Sequence, residues 1–142
     1  MLKKMLENNI NVVKEVSNWE EAIKIAAIPL KEGGFIKEEY IDAMIENIVK
    51  NGPYVVIMPG LAIPHSRPED GVLKTGISLL KLHQSVKFPE GKDVELLIVL
   101  AANDSHMHLQ LISELTNLLM EDDVMEKLSC AKSKEEVLRC IC

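Results

Sequence analysis

Arginine is nearly missing from this chain. Arg67 and Arg139 are the only two in 142 residues, the lysines are scattered, and the formal net charge is −6. No basic patch stands out against that acidic background. A general nucleic-acid binder is therefore excluded, because a phosphate backbone needs clustered cations to replace its counterions. Long apolar runs are missing too. The best, "LLIVLAA" at 96–102, is far short of a bilayer span. The opening "MLKKMLENNI" lacks the sustained apolar stretch and small-residue cleavage site of a secretory leader. The expected compartment is the cytoplasm, with no direct membrane insertion. Cysteine is sparse and badly placed for a disulfide framework: Cys130, Cys140 and Cys142 crowd the C-terminus in odd number, as suits reduced thiols at a fraying chain end. The sequence has no G-x-S-x-G elbow, no Walker loop and no glycine-rich dinucleotide fingerprint, so a self-sufficient hydrolase or nucleotide enzyme is not indicated.

What remains is an ordinary globular composition, 47% hydrophobic and 27% charged, in a length that fits one domain with one substantial core over 1–142. Alternation in "NINVVKEV" predicts a first strand at 10–16. Ser17 or Asn18 caps a helix carrying Ile23, Ala26, Ala27 and Leu30 on one face, with Glu21 at the capping-box position. Tyr40, Ile41, Met44, Ile45 and Ile48 recur at helical spacing, and Asn51-Gly52 supplies the stop. The β-branched run at 54–58 reads as a short buried strand. Strands at 75–82 and through "VELLIVLAA" flank the turn residues of "FPEGKD". A long helix follows at 107–120 with Leu111, Ile112, Leu115, Leu118 and Leu119 facing inward. "EDDVMEKLSC" and "SKEEVLRCIC" predict two further short helices, the second with a Ser133/Glu136 capping box. Helices and strands alternate. The fold class is α/β, with a mixed β-sheet sandwiched by helices.

One segment stands apart. "PGLAIPHSRPED", 59–70, places three prolines and a glycine around His65. Proline fixes its own φ and pushes the preceding residue toward extended backbone, so Pro59, Pro64 and Pro68 stiffen the chain on both sides of the imidazole. A rigid, extended mount at a strand end is where α/β folds carry their sites, and histidine is readily set as nucleophile, base or ligand near neutral pH. A structural loop histidine is the alternative. His108, early in the long helix, is either a satisfied core residue on the apolar stripe or a donor to an anion held at the helix N-terminus. Arg67 either clamps an anion bidentately or is solvated; Glu69 or Asp70 can cap it. His106 and His108 form "HMH", but on a helix the two rings diverge by ~200°. No carboxylate or third histidine lies at obvious ligand spacing, so a metal site is the lesser reading of this pair. His83 belongs to a strand end beside "QSVKF" and is expected to be exposed.

"PGLAIPHSRPEDGV", followed about forty residues on by "HLQLISELTNLL", resembles the enzyme IIA domains of the mannitol–fructose class of the bacterial sugar phosphotransferase system (EIIA type-2). The "RPEDGV" run after the histidine is most similar to the ascorbate-type branch, and "WEEAIKIAAIPLKEGGFI" and "YIDAMIENIVKNGPYVVIMPG" match in order and spacing. The resemblance implies a mixed sheet flanked by helices and a phosphohistidine relay with neither metal nor organic cofactor. HPr would phosphorylate His65, through Nε2. His65 would pass the group to a cysteine of enzyme IIB, and a separate membrane enzyme IIC would take up the sugar, L-ascorbate on the branch resemblance. His108 corresponds to the second site histidine. Many members carry an arginine in the helix before the short strand; here that stretch reads "IVKNGPYVV", so the role of a phosphoryl-binding cation falls to Arg67 or Lys50. Leu61, Ile63, Met107 and Leu109 are the candidates for keeping water away. The rival readings are a regulatory phospho-acceptor of the same fold, a metal-dependent hydrolase using His65, His106 and His108, and a plain interaction module. Oligomeric state is left open.

Overall fold

The computed structural model describes residues 2–141. Its sheet is built around two long apolar strands, β4 (Gly76–Phe88) and β5 (Lys92–Ala101), joined by a tight turn at Pro89–Gly91 in which Glu90 takes φ 66°. They pair antiparallel along most of their length. Short strands flank them: β1 (Ile10–Val13) runs parallel to β4, and β3 (Gly60–Ala62) runs parallel to β5. The outermost, β2 (Val56–Met58), pairs antiparallel with β3, which gives the order β1-β4-β5-β3-β2. The sheet is mixed, as the alternation of elements predicts.

Side chains of a strand alternate between its faces, and here both faces are covered. Leu80, Leu82, Leu97 and Val99 meet α2 (Trp19–Glu32) and α3 (Glu38–Asn51) on one side. Ile77, Leu79, Leu96, Ile98 and Leu100 meet the other layer: α1 (Leu2–Leu6), α4 (Ser105–Leu119), α5 (Val124–Cys130) and α6 (Lys134–Ile141). Double burial explains why 94–102 reads as a nearly unbroken apolar run rather than an alternating one. Two polar side chains are buried on β4: Lys81, whose Nζ donates to the Leu82 carbonyl at 2.6 Å, and Ser78, whose Oγ donates to the Ala26 carbonyl at 2.6 Å.

The helix caps follow the sequence. The Asn18 side chain accepts the Glu21 N–H at 2.8 Å, Ser133 Oγ accepts the Glu136 N–H at 3.1 Å, and Gly52 closes α3 at φ 86°. Five elements depart from expectation, the first being α1 (Leu2–Leu6), for which no helix is predicted. The first strand stops at Val13, and β4 continues to Phe88, through the exposed His83, Gln84 and Ser85. The run at 54–58 is not a buried strand: β2 is a sheet edge, with Ile57 50% and Met58 37% exposed. An edge strand has no neighbour to cover its outer residues, so a β-branched run need not mean burial. Gly60–Ala62, inside the proline-rich segment, is a strand of its own; Gly60 (φ 88°) follows the turn from β2 and lies at the register shift between β3 and β5. Of the terminal cysteines, Cys130 and Cys140 are free thiols, and Cys142 lies outside the described residues. Among the described residues no helix is long and apolar enough to cross a membrane.

Candidate functional site

Just past the C-terminal end of β3 the chain stays extended, held by its neighbours instead of by a ladder. The Ile63 N–H donates to Val55 O at 2.9 Å, and Pro64 O accepts the Leu100 N–H at 3.0 Å. His65 follows. Its Nδ1 lies 2.8 Å from the Ile63 carbonyl. A carbonyl oxygen only accepts, so Nδ1 carries the hydrogen, and in the neutral ring Nε2 is left with the lone pair.

Ser66 ties down the next residue. Its N–H donates to Tyr40 Oη at 2.9 Å, and Tyr40 in turn donates to Leu100 O at 2.6 Å. Burial pushes the Tyr40 phenol up to about 12, so it stays protonated and keeps that donor role. Ser66 Oγ accepts from Asn47 Nδ2 at 3.0 Å and donates to Asp70 Oδ2 in a short hydrogen bond. Helix α3, the segment after β3 and the turn Pro68–Asp70 are thereby locked around one imidazole.

His108 comes to the same place from α4. Asp104 caps that helix by accepting the Met107 N–H at 2.8 Å, which sets the first turn against the end of β3. The His65 and His108 rings lie 5.0 Å apart, centroid to centroid, inclined at 59°, and Tyr54 meets His65 edge-on at 5.7 Å. Burial, and then repulsion from His65, hold the His108 imidazole below its usual range. It is therefore neutral at pH 7, able to donate from one nitrogen and accept at the other. Both histidines line a cleft of about 430 Å³ together with Asn47, Tyr54, Arg67 and Ser105. His65 also lines an apolar hollow of about 420 Å³ formed by Met58, Leu61, Ile63, Ile112 and Leu119. The ring thus borders both a polar cleft and an apolar hollow. A larger hollow of about 540 Å³ lies under β2, beside Lys92 and Glu95, and contains no histidine.

Arg67 sits at the cleft rim, forked onto Asp70 through Nη2 (3.1 Å) and Nε (3.4 Å). Asp70 thus caps Arg67, while Glu69 is exposed. Lys50 is exposed and is not among the residues lining the cleft. Of the water-excluding candidates, Leu61 and Ile63 line the apolar hollow, Leu109 lines the polar cleft and Met107 packs into the α4-side core. His106 is exposed on α4, and among the described residues no three His, Cys, Asp or Glu side chains are grouped to hold a metal ion. Asn47, Tyr54 and Ser66 had no signal of their own in the sequence. The nearest hint is Asn47, a polar residue at the margin of an otherwise apolar helical face.

Fold and site together place an imidazole with an unprotonated Nε2 on a rigid mount, a second imidazole beside it and an apolar hollow next to it. The chain belongs to the family described as the phosphoenolpyruvate-dependent sugar phosphotransferase system, EIIA 2, whose model matches residues 4–142. It is a phosphotransferase component of that system. The mannitol-specific cryptic phosphotransferase enzyme IIA component of Escherichia coli K12 is 40% identical over 132 residues, covering 92% of this chain and 90% of that one. A solution structure of the E. coli mannitol-specific cryptic enzyme IIA superposes with TM-score 0.91 at 37% identity, covering 99% and 97% of the two chains. The ascorbate-specific EIIA component of Salmonella choleraesuis is 36% identical over 134 residues, 92% of this chain and 87% of that one. The E. coli mannitol enzyme IIA, solved in complex with phosphorylated mannitol enzyme IIB, matches with TM-score 0.81 and 33% identity over 95% of this chain and 94% of that one.

Proposed function

We propose that His65 is the phosphorylated residue of a cytoplasmic phosphohistidine carrier. It accepts the phosphoryl group from phospho-HPr and passes it to a cysteine of enzyme IIB. The observation that carries this reading is the Nδ1–H···O=C bond to Ile63, which leaves Nε2 as the unprotonated nitrogen of a ring that lines the cleft. In the first step the N–P bond of the donor breaks as Nε2–P forms. In the second, the cysteine thiolate attacks phosphorus and Nε2 leaves with its electron pair. Such transfers need positioning and donors for the equatorial oxygens more than covalent work by the protein. His108 supplies one donor and Arg67 further ones, and the apolar hollow behind His65 slows hydrolysis of the phosphoimidazole.

The partner reading draws on the 33% identical mannitol enzyme IIA, whose solved complex holds phosphorylated enzyme IIB. The transported sugar is set by that IIB and by a membrane enzyme IIC. The "RPEDGV" run favours L-ascorbate, whereas the 40% identical relative is named mannitol-specific. Incubating the phosphorylated protein with an ascorbate-type and a mannitol-type IIB decides between them by which one takes the label.

The primary test uses labelled phosphoenolpyruvate, Enzyme I and HPr with wild type, His65→Ala and His108→Ala. Acid-labile, base-stable label is expected on wild type and none on His65→Ala, with transfer through His108→Ala slowed about 10²-fold, the scale of losing one preorganised donor. Label on His65→Ala would move the acceptor to another residue. An unlabelled wild type with competent HPr would overturn the relay.

A further inference from the structure

Asp70 makes more contacts than its turn requires. Closing the three-residue turn Pro68–Asp70 takes one acceptor for the Arg67 N–H, which Oδ2 provides at 3.2 Å. The same carboxylate also accepts the Ser66 hydroxyl and both arms of the Arg67 fork. Its side chain is 19% exposed, while that of Arg67 is 75% exposed. A guanidinium left so open would wander among rotamers; Asp70 fixes it at the rim. The fork uses Nε–H and one Nη2–H, so three of the five guanidinium donors make no bond to Asp70. Arg67 can meet a phosphoryl group without leaving its partner.

The charge arithmetic of the cleft matters as well. Among the described residues that line it, Arg67 is the one permanent cation, and Asp70 places one negative charge directly against it. A carrier has two opposed tasks: it must accept a phosphoryl dianion and then release it. A bare arginine beside Nε2 favours the first and hinders the second. We propose that Asp70 sets the phosphoryl-transfer potential of His65, by offsetting part of the Arg67 charge that would otherwise hold the phosphoryl group too firmly for release. The proposal rests on the reading of His65 and Arg67 given above. No bond to Asp70 forms or breaks and no proton moves; the N–P bond is exchanged as in the relay itself.

The test is the equilibrium between phospho-HPr and the full chain, read by ³¹P NMR from the ratio of the two phosphohistidines. Removing one unit charge on the order of 6 Å from a phosphoryl dianion, at the water-like dielectric of an exposed rim where Arg67 is 75% exposed, shifts the constant about tenfold. Asp70→Asn is therefore expected to raise the phosphorylated fraction by about that factor and to slow onward transfer to IIB. The shift should shrink as ionic strength rises toward about 1 M, where the screening length is about 3 Å. Asp70→Ser retains an acceptor for the turn and loses the charge, so it should give the same shift; it keeps the proposal testable if the asparagine variant folds poorly. Arg67→Gln should lower the constant, and adding Asp70→Asn to it should bring the constant back toward wild type, because the two charges act on the phosphoryl group with opposite sign. A constant unmoved by Asp70→Asn and Asp70→Ser, with Arg67→Gln still lowering it, overturns the proposal and leaves the clamp intact. A constant unmoved by Arg67→Gln overturns the clamp and the proposal together.

Discussion

The reactive nitrogen of His65 is selected by a backbone carbonyl two residues upstream. Because Pro64 fixes the intervening φ, the Ile63 oxygen and His65 Nδ1 are held 2.8 Å apart by local geometry. The preference for the Nδ1–H tautomer is therefore built into the frame and needs no partner protein. Imidazole ¹⁵N shifts of the free protein at about pH 8, where an ordinary histidine is neutral, are expected to show a protonated Nδ1 and an unprotonated Nε2 at position 65. The opposite pattern would place the lone pair on the blocked nitrogen and sink the assignment of the nucleophile. This part of the site was legible because its signal is local: three prolines and a histidine within twelve residues. The contacts that lock Ser66 were not legible. They come from Asn47 and Tyr40, 19 and 26 residues away, and no spacing rule links a helix side chain to a loop hydroxyl across that gap.

Among the elements, α4 has two roles at the site: it presents His108 and covers the sheet face behind β3. Leu111, Leu115 and Leu119 are its buried stripe, packed with Leu61, Ile63 and Leu96. Truncating Leu115 opens a cavity at the middle of that contact, and Leu115→Ala is expected to lower unfolding stability by about 2–5 kcal/mol. Urea titration measures this, with phosphorylation of the folded fraction retained below the midpoint. A loss under about 1 kcal/mol would mean that the stripe is not a close-packed contact. The amphipathic stripes of α2, α3 and α4 could be read directly, since three or four turns of a 3.6-residue period make a strong pattern. Strand β3 could not. It has three residues, too few to establish a period of two, and its glycine and flanking proline argue for a loop by composition. The run at 54–58 failed for a related reason: β-branched residues suit an exposed edge strand as well as a buried one.

At the scale of the whole molecule, the sheet separates two apolar cores, and the site opens at the edge where α3, the end of β3 and the start of α4 converge. Placing a histidine in that seam has a consequence for acid stability. Burial, then His65, hold the folded His108 below 6.5, so the unfolded chain binds that proton more readily. Above about pH 7 the group is neutral in both states and its full contribution to stability is present. As pH falls through 6.5 toward the lower folded value, protonation favours the unfolded chain and stability declines; below the folded value this group removes no more. Asp70 has a separate window. Its carboxyl is held below 3.8, chiefly by the Ser66 hydroxyl and further by Arg67, so its contribution is present above 3.8 and is lost only as pH falls through its folded value. The urea midpoint is therefore expected to fall between about pH 7 and pH 5, and in His108→Gln, which has no proton to bind, that limb should flatten. Phosphorylating His65 should flatten it too, because a dianion carried on a ring 5.0 Å from His108 stabilises the imidazolium that burial disfavours. An unchanged slope in His108→Gln would assign the acid limb to other groups and remove the coupling between the seam and the fold.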